Sequence, residues 1–250
     1  MRKLLILTVL MILSFGLYAQ KRVSINAQRV LMDTTFDKVS DTTVAAIIAF
    51  YKPAMEQKMN EVIGKSAYEL RNSRPESLLS NFTADALLNY AKSFSKGKVD
   101  FSLTNFGGIR ASLPAGDVKM YDVYSVFPFE NYVVVIDMNG KDVLTLFESF
   151  AQNRVEAMSC NTYLEIDNQK LVKATINGEP IDVNRVYRVA TIDFLLSGGD
   201  NVAPLRLATA VEQTGALIRD AVIAEFRKAA NKGTSVAPVI DGRVKISSKQ

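Results

Sequence analysis

The sequence contains no histidine among its 250 residues. Imidazole is the side chain that most readily exchanges protons at neutral pH, and it is a common ligand of zinc. Its absence excludes histidine-based acid–base catalysis, a Ser-His-Asp triad and every metal centre that requires imidazole. A carboxylate-only site for Ca²⁺ or Mg²⁺ survives this exclusion, but no Asp-rich loop of suitable spacing is present. We therefore expect no metal and no cofactor in this chain.

Cysteine and basic runs are also scarce. Cys160 is the single cysteine, so an intramolecular disulfide is excluded, and without histidine this thiol is a poor candidate for a nucleophile. We expect Cys160 to be a small buried hydrophobic residue. The formal net charge is only +4, and no run of basic residues forms a stripe. A nucleic-acid partner is therefore not expected.

The one long apolar run lies at the N-terminus. Arg2 and Lys3 precede an apolar stretch over residues 4–17, and the small Ala19 suits a cleavage site. This is the layout of a secretory signal peptide over residues 1–19, and the stretch is short for a membrane span. An uncleaved N-terminal anchor is the alternative. We expect cleavage, a periplasmic or secreted mature chain, and no membrane association afterwards.

The rest of the sequence has no internal repeat and no polar linker. Residues 20–40 are predicted to be an extended N-terminal segment, and residues 41–250 a single domain. Helical and strand patterns mix without strict alternation, which favours an α+β fold over a doubly wound sheet. Pro53 predicts a kink in the first helix, or two shorter helices. The patterns predict helices over about 41–64, 78–94, 142–152 and 213–230, and strands over about 99–104, 132–136, 162–166, 171–176, 186–190 and 243–246.

The first segment with functional character is Asn-Phe-Gly-Gly-Ile-Arg at residues 105–110, at the end of a predicted strand. The paired Gly107 and Gly108 allow a backbone to approach a ligand closely. Asn105 offers a donor and an acceptor that suit the edge of a base, and Arg110 offers a planar fork that matches phosphate oxygens. Taken alone, the segment is better explained as a glycine turn with a surface arginine.

The second segment, Phe-Pro-Phe-Glu-Asn at residues 127–131, leads into the strongest predicted strand and contains Phe129. Taken alone, it is explained by core packing and a stiff turn. The third segment, residues 193–200, combines an aromatic ring with a glycine turn that ends in a carboxylate. That carboxylate suits ribose hydroxyls, and the alternative is a loop with an Asx turn. The residues of interest in the third segment are Phe194, Gly198, Gly199 and Asp200.

Together the three segments predict a nucleotide pocket. Two aromatic rings on separate loops can hold a flat base between them, and each stacking contact is worth roughly 1–3 kcal/mol. An amide, a carboxylate and a guanidinium beside that slot match the base edge, the ribose and the phosphate respectively.

The order of these motifs resembles a known family. Asn-x-Gly-Gly-Ile-Arg, then Pro-Phe-x-Asn before a strand, then Tyr-x-Val-Ala-x-x-Asp-Phe-Leu-x-x-Gly-Gly-Asp is similar to the C-terminal, substrate-binding domain of the 5'-nucleotidase and UDP-sugar hydrolase family. The likeness runs from about Asp41 to Lys245. It implies a four-layer α/β/β/α fold whose pocket clamps a nucleotide base.

The resemblance also implies individual roles. Phe129 and Phe194 match the two stacking phenylalanines, and Asn105 matches the residue that faces the base. Asp200 matches the residue that holds the ribose, and Arg110 matches one of the arginines that reach the phosphates.

One part of the family pattern is degraded. The family places an arginine just before a Glu-x-Asn-x-Gly-Asn-Leu stretch, which here reads Glu-Ser-Leu-Leu-Ser-Asn-Phe at residues 76–82. Strict register puts Ser73 at the arginine position. Arg74 or Arg71 is the candidate to replace the family's arginine, although neither residue aligns with that position. Phosphate binding is therefore less firmly implied than base binding.

The family's catalytic machinery is missing. In the family, hydrolysis belongs to an N-terminal metallophosphatase domain, where Asp, Asn and His residues hold two metal ions that activate water. The resemblance therefore implies a hydrolase relative that is inactive alone, with divalent metals expected only in a partner metallophosphatase subunit. Three functions stay open: a module in nucleotide catabolism that presents a nucleoside or nucleotide to that partner, an obligate half of a split 5'-nucleotidase, and a remnant interaction domain.

Overall fold

A computed structural model describes residues 24–35, 41–95 and 98–247. The predicted signal peptide, residues 1–19, lies outside these residues. Contacts divide the chain into two compact units, residues 1–50 and 51–250. The predicted organisation into an N-terminal segment and one domain from residue 41 stays a prediction.

Residues 24–35 of the first unit are exposed and almost without regular structure. Helix α1 (Thr42–Met59) begins at a capping residue, because the Asp41 carboxylate accepts hydrogen bonds from the N–H groups of Thr43 (2.9 Å) and Val44 (3.1 Å). The predicted start of this helix near residue 41 is confirmed. None of the residues of α1 is buried.

Helix α1 differs from the prediction in two respects. It continues through Pro53 as one helix, since a proline removes only one backbone hydrogen bond and the turns on either side are retained. It also ends at Met59, so the expectation that it reaches Gly64 is wrong. Gly64 lies in a strand instead, where an added Cβ would stand 2.8 Å from the backbone oxygen of Phe226. That close packing is a tertiary contact that no local pattern shows.

The described part of the second unit contains three sheets in addition to its helices. They are a five-stranded sheet of order β10-β4-β9-β2-β5, a four-stranded sheet of order β11-β6-β7-β8, and the pair β1-β3. The strands are β1 (Val62–Ser66), β2 (Phe101–Thr104), β3 (Gly116–Lys119), β4 (Tyr132–Asn139), β5 (Ala157–Met158), β6 (Thr162–Asp167), β7 (Lys170–Ile176), β8 (Glu179–Pro180), β9 (Val186–Ile192), β10 (Ala210–Leu217) and β11 (Val244–Ser247). The remaining α-helices are α2 (Leu78–Phe94), α3 (Met120–Val126), α4 (Gly140–Gln152), α5 (Asp193–Leu196) and α6 (Ile218–Asn231).

Helices cover both faces of the five-stranded sheet at β2. The Ser102 hydroxyl donates to the backbone oxygen of Ala84 in α2 (2.6 Å), whereas the Phe101 ring on the opposite face packs on Phe147 of α4, with centroids 5.6 Å apart. All four residues of β2 are buried, because helices cover both of its faces. Helix α4 also contacts β7 of the four-stranded sheet. The mixture of parallel and antiparallel strands with intervening helices confirms the predicted α+β class.

Several predicted elements are confirmed and others are wrong. The predicted helix over residues 78–94 is present, and so are the strands predicted over 162–166 and 171–176, which pair antiparallel as β6 and β7. The strand predicted over 132–136 is longer than expected, because β4 runs to Asn139 and α4 begins at once. Residues 213–217, predicted as helix, belong to β10, which pairs antiparallel with β4. Cys160 is exposed, contrary to expectation, since it lies in the turn after β5 with its N–H bonded to Asp85.

Within the described residues, no helix combines the length and the apolar character needed to cross a membrane.

Candidate functional site

The three motif segments meet at one edge of the five-stranded sheet. Strands β2 and β9 run parallel, so the segments that follow Thr104 and Ile192 emerge on the same side. Strand β4 runs antiparallel to β9, with Val133 opposite Ile192, so the segment that precedes Tyr132 arrives at that edge as well. Strand register therefore gathers segments that are distant in the sequence.

Asp193 ties the second and third segments together. Its Oδ1 accepts hydrogen bonds from the N–H groups of Tyr132 (3.0 Å) and Phe194 (2.8 Å). The same carboxylate therefore fixes the start of β4 and the first turn of α5. The sequence reasoning did not single out Asp193, although its place directly before Phe194 was a usable signal.

Asn105 and Asp200 form the centre of the site. The Asn105 side chain is buried, and its Nδ2 donates to Asp200 Oδ2 at 2.6 Å. Its Oδ1 is buried without a hydrogen-bond partner among the described residues. A buried acceptor that lacks a partner costs about 1–3 kcal/mol, so a ligand that donates to Asn105 Oδ1 would relieve that cost.

Gly107 and Gly108 leave the room that this pair needs. An added Cβ would stand 2.8 Å from Asp200 Oδ2 at Gly107, and 2.7 Å from Asn105 Oδ1 at Gly108. Real Cβ atoms essentially never come so close, and the side chains cannot withdraw without breaking the Asn105–Asp200 hydrogen bond. The paired glycines therefore serve the packing around Asn105.

The third segment folds its glycines under an aromatic ring. Gly198 has φ of 93° and Asp200 has φ of 51°, which turns the chain back toward Asn105. A Cβ at Gly199 would stand 2.3 Å from the Phe194 ring, so one face of that ring lies directly on the glycine backbone. Phe194 is nevertheless 41% exposed. The exposed part of the ring is therefore accessible to a ligand.

Phe129 is 46% exposed at the same edge of the sheet. The Arg110 guanidinium carbon lies 5.9 Å from the centre of its ring, and Arg110 Nη1 donates to the Gly107 oxygen at 3.3 Å. Within the described part of the chain, Phe129 and Phe194 make no ring contact with each other. The cavity beneath Phe129 is too narrow for a base.

Arg74 lies beside the site and is already paired. Its Nη2 lies 2.8 Å from Glu156 Oε1, its Nη1 donates to the Val155 oxygen, and its guanidinium carbon lies 4.4 Å from the centre of the Phe106 ring. Glu156 Oε2 accepts from the Phe106 N–H at 2.7 Å. Glu156 therefore holds both Arg74 and the first motif segment.

The sequence reasoning missed Glu156. The signal was a lone carboxylate between Val155 and Ala157-Met158, which are apolar and buried. Burial raises the pKa of the Glu156 carboxyl, while the Arg74 guanidinium and the Phe106 N–H lower it, and the nearby Asp200 raises it further. The net pKa shift is upward from 4.5.

A cleft of about 590 Å³ opens next to this pair. It lies between the first and third motif segments and the end of α4, and pockets of this size commonly hold small molecules. Its lining includes Arg74, Gly107, Asn153, Arg154, Glu156, Asp200 and Asn201.

Comparison with known proteins identifies the family. A family model described as the 5'-nucleotidase C-terminal domain matches residues 57–206, which is more than half of the chain. The chain belongs to the 5'-nucleotidase C-terminal domain family. All three motif segments lie within the matched residues.

Relatives in this family are much longer proteins. The chain is 30% identical over 215 residues to the trifunctional nucleotide phosphoesterase protein YfkN of Bacillus subtilis, covering 78% of this chain and 14% of YfkN. It is 33% identical over 141 residues to protein UshA of Escherichia coli, covering 55% of this chain and 26% of UshA. The chain therefore spans about a quarter or less of the length of these two relatives.

Solved structures agree on the fold. A 5'-nucleotidase precursor from Thermus thermophilus superposes with a TM-score of 0.70 at 26% identity, covering 83% of this chain and 43% of that one. The NAD nucleotidase of Haemophilus influenzae gives a TM-score of 0.66 at 20% identity, covering 94% and 44%, which supports the fold alone. The predicted fold type of the 5'-nucleotidase C-terminal domain is confirmed. The ligand contacts assigned to individual residues stay predictions.

Proposed function

We propose that this chain is a nucleoside- or nucleotide-binding module that presents its ligand to a separate metallophosphatase chain. The observation that supports this best is the buried Asn105 Oδ1, which has no partner among the described residues and lies next to Asp200. Two half-exposed rings, Phe129 and Phe194, stand at the same edge of the sheet. Family membership supports a role in nucleotide metabolism.

In this proposal each group meets one part of the ligand. The base stacks between Phe129 and Phe194, and its exocyclic amine donates to Asn105 Oδ1. The ribose hydroxyls donate to the free lone pairs of Asp200. Arg110, which is exposed, is the proposed contact for a phosphate.

The proposal assigns hydrolysis to the partner. Phosphate-ester hydrolysis in this scheme needs metal ions that activate water and offset the phosphate charge. Among the residues that the structure describes, no three acidic or cysteine side chains are grouped so that they could hold a metal ion. We expect the purified chain to release no phosphate from nucleotides, with or without Mn²⁺, Zn²⁺ or Co²⁺. A metal-dependent release that persists through purification would contradict this expectation.

Binding is tested by calorimetric titration with adenosine and its mono- and diphosphates. Truncation of Phe194 to alanine removes one face of the slot, so affinity should fall about tenfold to a hundredfold, equivalent to roughly 1–3 kcal/mol. Phe94→Ala is the matched control, because Phe94 is 40% exposed at the end of α2 and lines none of the site. Wild-type protein that binds none of the three compounds at millimolar concentration would reject the proposal, and the interaction-domain alternative would then lead.

Export is part of the same proposal. Cleavage after Ala19 would place the module where extracellular nucleotides arrive. The intact mass of exported protein tests this, and retention of Met1 in a membrane-bound form would contradict it. Co-purification of a metallophosphatase that carries histidine ligands would distinguish a two-chain system from an isolated binding module.

A further inference from the structure

The turn that contains Asp200 is closed by an arginine from further along the chain. The Arg206 Nη2 atom donates to the backbone oxygen of Ser197 at 2.9 Å, across nine positions of sequence. Ser197 directly follows the last residue of α5, the short helix that contains the stacking ring. Residues 197–206 therefore form a closed loop around the glycine pair and Asp200.

The Arg206 guanidinium also lies directly against Gly198. A Cβ added at Gly198 would overlap the Nη2, Cζ and Nε atoms of this guanidinium. Gly198 has φ of 93°, a conformation that residues with a side chain rarely adopt. The flat guanidinium therefore fills the space beside the glycine and supports the turn at the point where the chain reverses.

The residues after Gly198 support the two ligand-facing groups of the third motif segment. Gly199 lies directly under the Phe194 ring, and Asp200 accepts the hydrogen bond from Asn105 at 2.6 Å. The arginine, the ring and the amide thus contact three consecutive residues of one turn. A shift of Gly198 would therefore displace the surface under the ring and the Asp200 carboxylate together.

The backbone that carries Arg206 is firmly anchored. It belongs to a short 3₁₀ turn (Ala203–Leu207) that packs against α4. Leu205 in this turn is fully buried, and Val202 just before it is buried in the same core. Arg206 itself is exposed, so its replacement leaves these buried contacts in place.

We propose, on the basis of the proposed binding function, that Arg206 is a positioning residue for the base-stacking ring. Its hydrogen bond to Ser197 and its flat contact with Gly198 hold the turn in the geometry that supports Phe194 and brings Asp200 to Asn105. A guanidinium can make both contacts at once, whereas a lysine ammonium offers donors but no flat surface. Arg206 acts through the turn, not on the ligand.

The first test is calorimetric titration of the full chain with adenosine. Adenosine has no phosphate, so an arginine that only attracted phosphate would not affect its binding. Arg206→Met should weaken adenosine binding by roughly threefold to tenfold, less than removal of the Phe194 ring. Arg206→Lys keeps a donor for the Ser197 oxygen but loses the flat surface, so its affinity should lie between those of wild type and Arg206→Met. Arg227→Met is the matched control, because Arg227 is also exposed but pairs with Glu61 at 2.9 Å, and it should bind adenosine as wild type does.

The second test follows the ring position without any ligand. The chain contains no tryptophan, so Phe194→Trp introduces a single fluorescent reporter at the ring position. Phe94→Trp is the matched reporter, because Phe94 is 40% exposed and Phe194 is 41% exposed. Arg206→Met, added to each reporter protein, should shift the emission to longer wavelength in Phe194→Trp and leave it unchanged in Phe94→Trp. A shift in both proteins or in neither overturns the positioning role.

The outcomes separate this role from the binding function. Equal adenosine affinity in wild type and folded Arg206→Met overturns the role and leaves the binding function intact. If thermal unfolding shows that Arg206→Met does not fold, Arg206→Lys takes its place in both tests, and wild-type affinity in Arg206→Lys overturns the role. If wild type binds no adenosine at millimolar concentration, the binding function fails, and the role in binding fails with it.

Discussion

Glu156 shows how one side chain can carry opposing electrostatic effects. Burial raises its pKa, and the hydrogen bonds from Arg74 and Phe106 offset only part of that rise. The carboxylate is retained in the structure at an energetic cost. A cost of this kind is common where a charged group serves binding rather than stability.

The raised pKa of Glu156 predicts a pH-dependent stability. When a carboxyl has a higher pKa in the folded state, its contribution to stability is full below the ordinary pKa of 4.5 and is lost as pH rises through the raised value. The free energy of unfolding of wild type relative to Glu156→Gln should therefore decrease as pH rises above the ordinary pKa of 4.5. Urea denaturation at several pH values measures this difference.

Glu165→Gln provides a control of opposite sign. The hydrogen bond from Lys245 lowers the pKa of Glu165, so its contribution is present above the ordinary pKa and is lost as pH falls. Wild type relative to Glu165→Gln should therefore gain stability as pH rises through the acidic range. If the pH dependence of stability had the same sign for both variants, the upward pKa shift of Glu156 would be contradicted.

Gly199 is a second residue on which the site depends. The Phe194 ring lies against its backbone, and a Cβ there would come within 2.3 Å of a ring carbon. Gly199→Ala should push the ring out of place and weaken adenosine binding by about tenfold, with a smaller effect than complete removal of the ring. Titration of adenosine against Gly199→Ala and Phe194→Ala compares the two. Gly199→Ala binding as tightly as wild type would show that the ring position does not matter.

At the scale of elements, the junction of β4 and α4 is tightly packed. Strand β4 passes directly into α4 at Gly140, whose N–H donates to the Arg185 oxygen at 2.7 Å. An added Cβ would stand 1.9 Å from the backbone oxygen of Asp182. A backbone atom cannot swing aside as a side chain can, so the loop before β9 would have to move.

Gly140→Ala should therefore destabilise the fold by about 1–3 kcal/mol, the usual cost of overpacking. Helix propensity alone predicts the opposite sign, because alanine is favoured over glycine in a helix by roughly 0.5–1 kcal/mol. Lys141→Ala, at an exposed position of the same helix, should be nearly neutral. Chemical denaturation of the three proteins decides between the two signs, and a stabilised Gly140→Ala would refute the close approach.

At the scale of the whole second unit, Arg243 joins distant parts of the chain. Its guanidinium binds Asp85 of α2 (3.0 and 3.1 Å), Asp241 (2.7 and 2.9 Å) and the Met158 oxygen of β5 (2.8 Å). Burial by itself lowers the pKa of Arg243, but the hydrogen bonds and charges of Asp85 and Asp241 raise it by more. The net pKa lies above its ordinary value, so the guanidinium keeps its charge. The side chain is only 3% exposed.

Replacement of Arg243 by methionine should lower the free energy of unfolding by about 3–5 kcal/mol, the usual cost of breaking a buried ion pair from one side. Lys245→Met breaks the exposed pair with Glu165, which solvent screens, so its effect on the free energy of unfolding should be much smaller. Urea denaturation of both variants makes the comparison. Equal effects would show that Arg243 does not join α2 to the C-terminal strand.

The sequence by itself determined the family, the order of the motifs and the excluded chemistry. The absence of histidine excludes imidazole chemistry whatever the fold. The motif segments are short patterns of neighbouring residues, so they can be read from the sequence alone. The helix start near residue 41 and the helix over 78–94 could be predicted because their hydrogen bonds lie within a few residues. The strand at 132–136 could be predicted from its run of β-branched and aromatic side chains.

Only the tertiary structure decided which of these residues meet. Asn105 and Asp200 are 95 positions apart, and Arg74 and Glu156 are 82 apart, so strand register and loop closure bring each pair together. The strand at 213–217 forms because β4 offers a partner, which local periodicity cannot show. Whether Arg74 is free or paired depends on a distant carboxylate and its burial. That long-range contact, rather than any local pattern, sets the charge of the cleft.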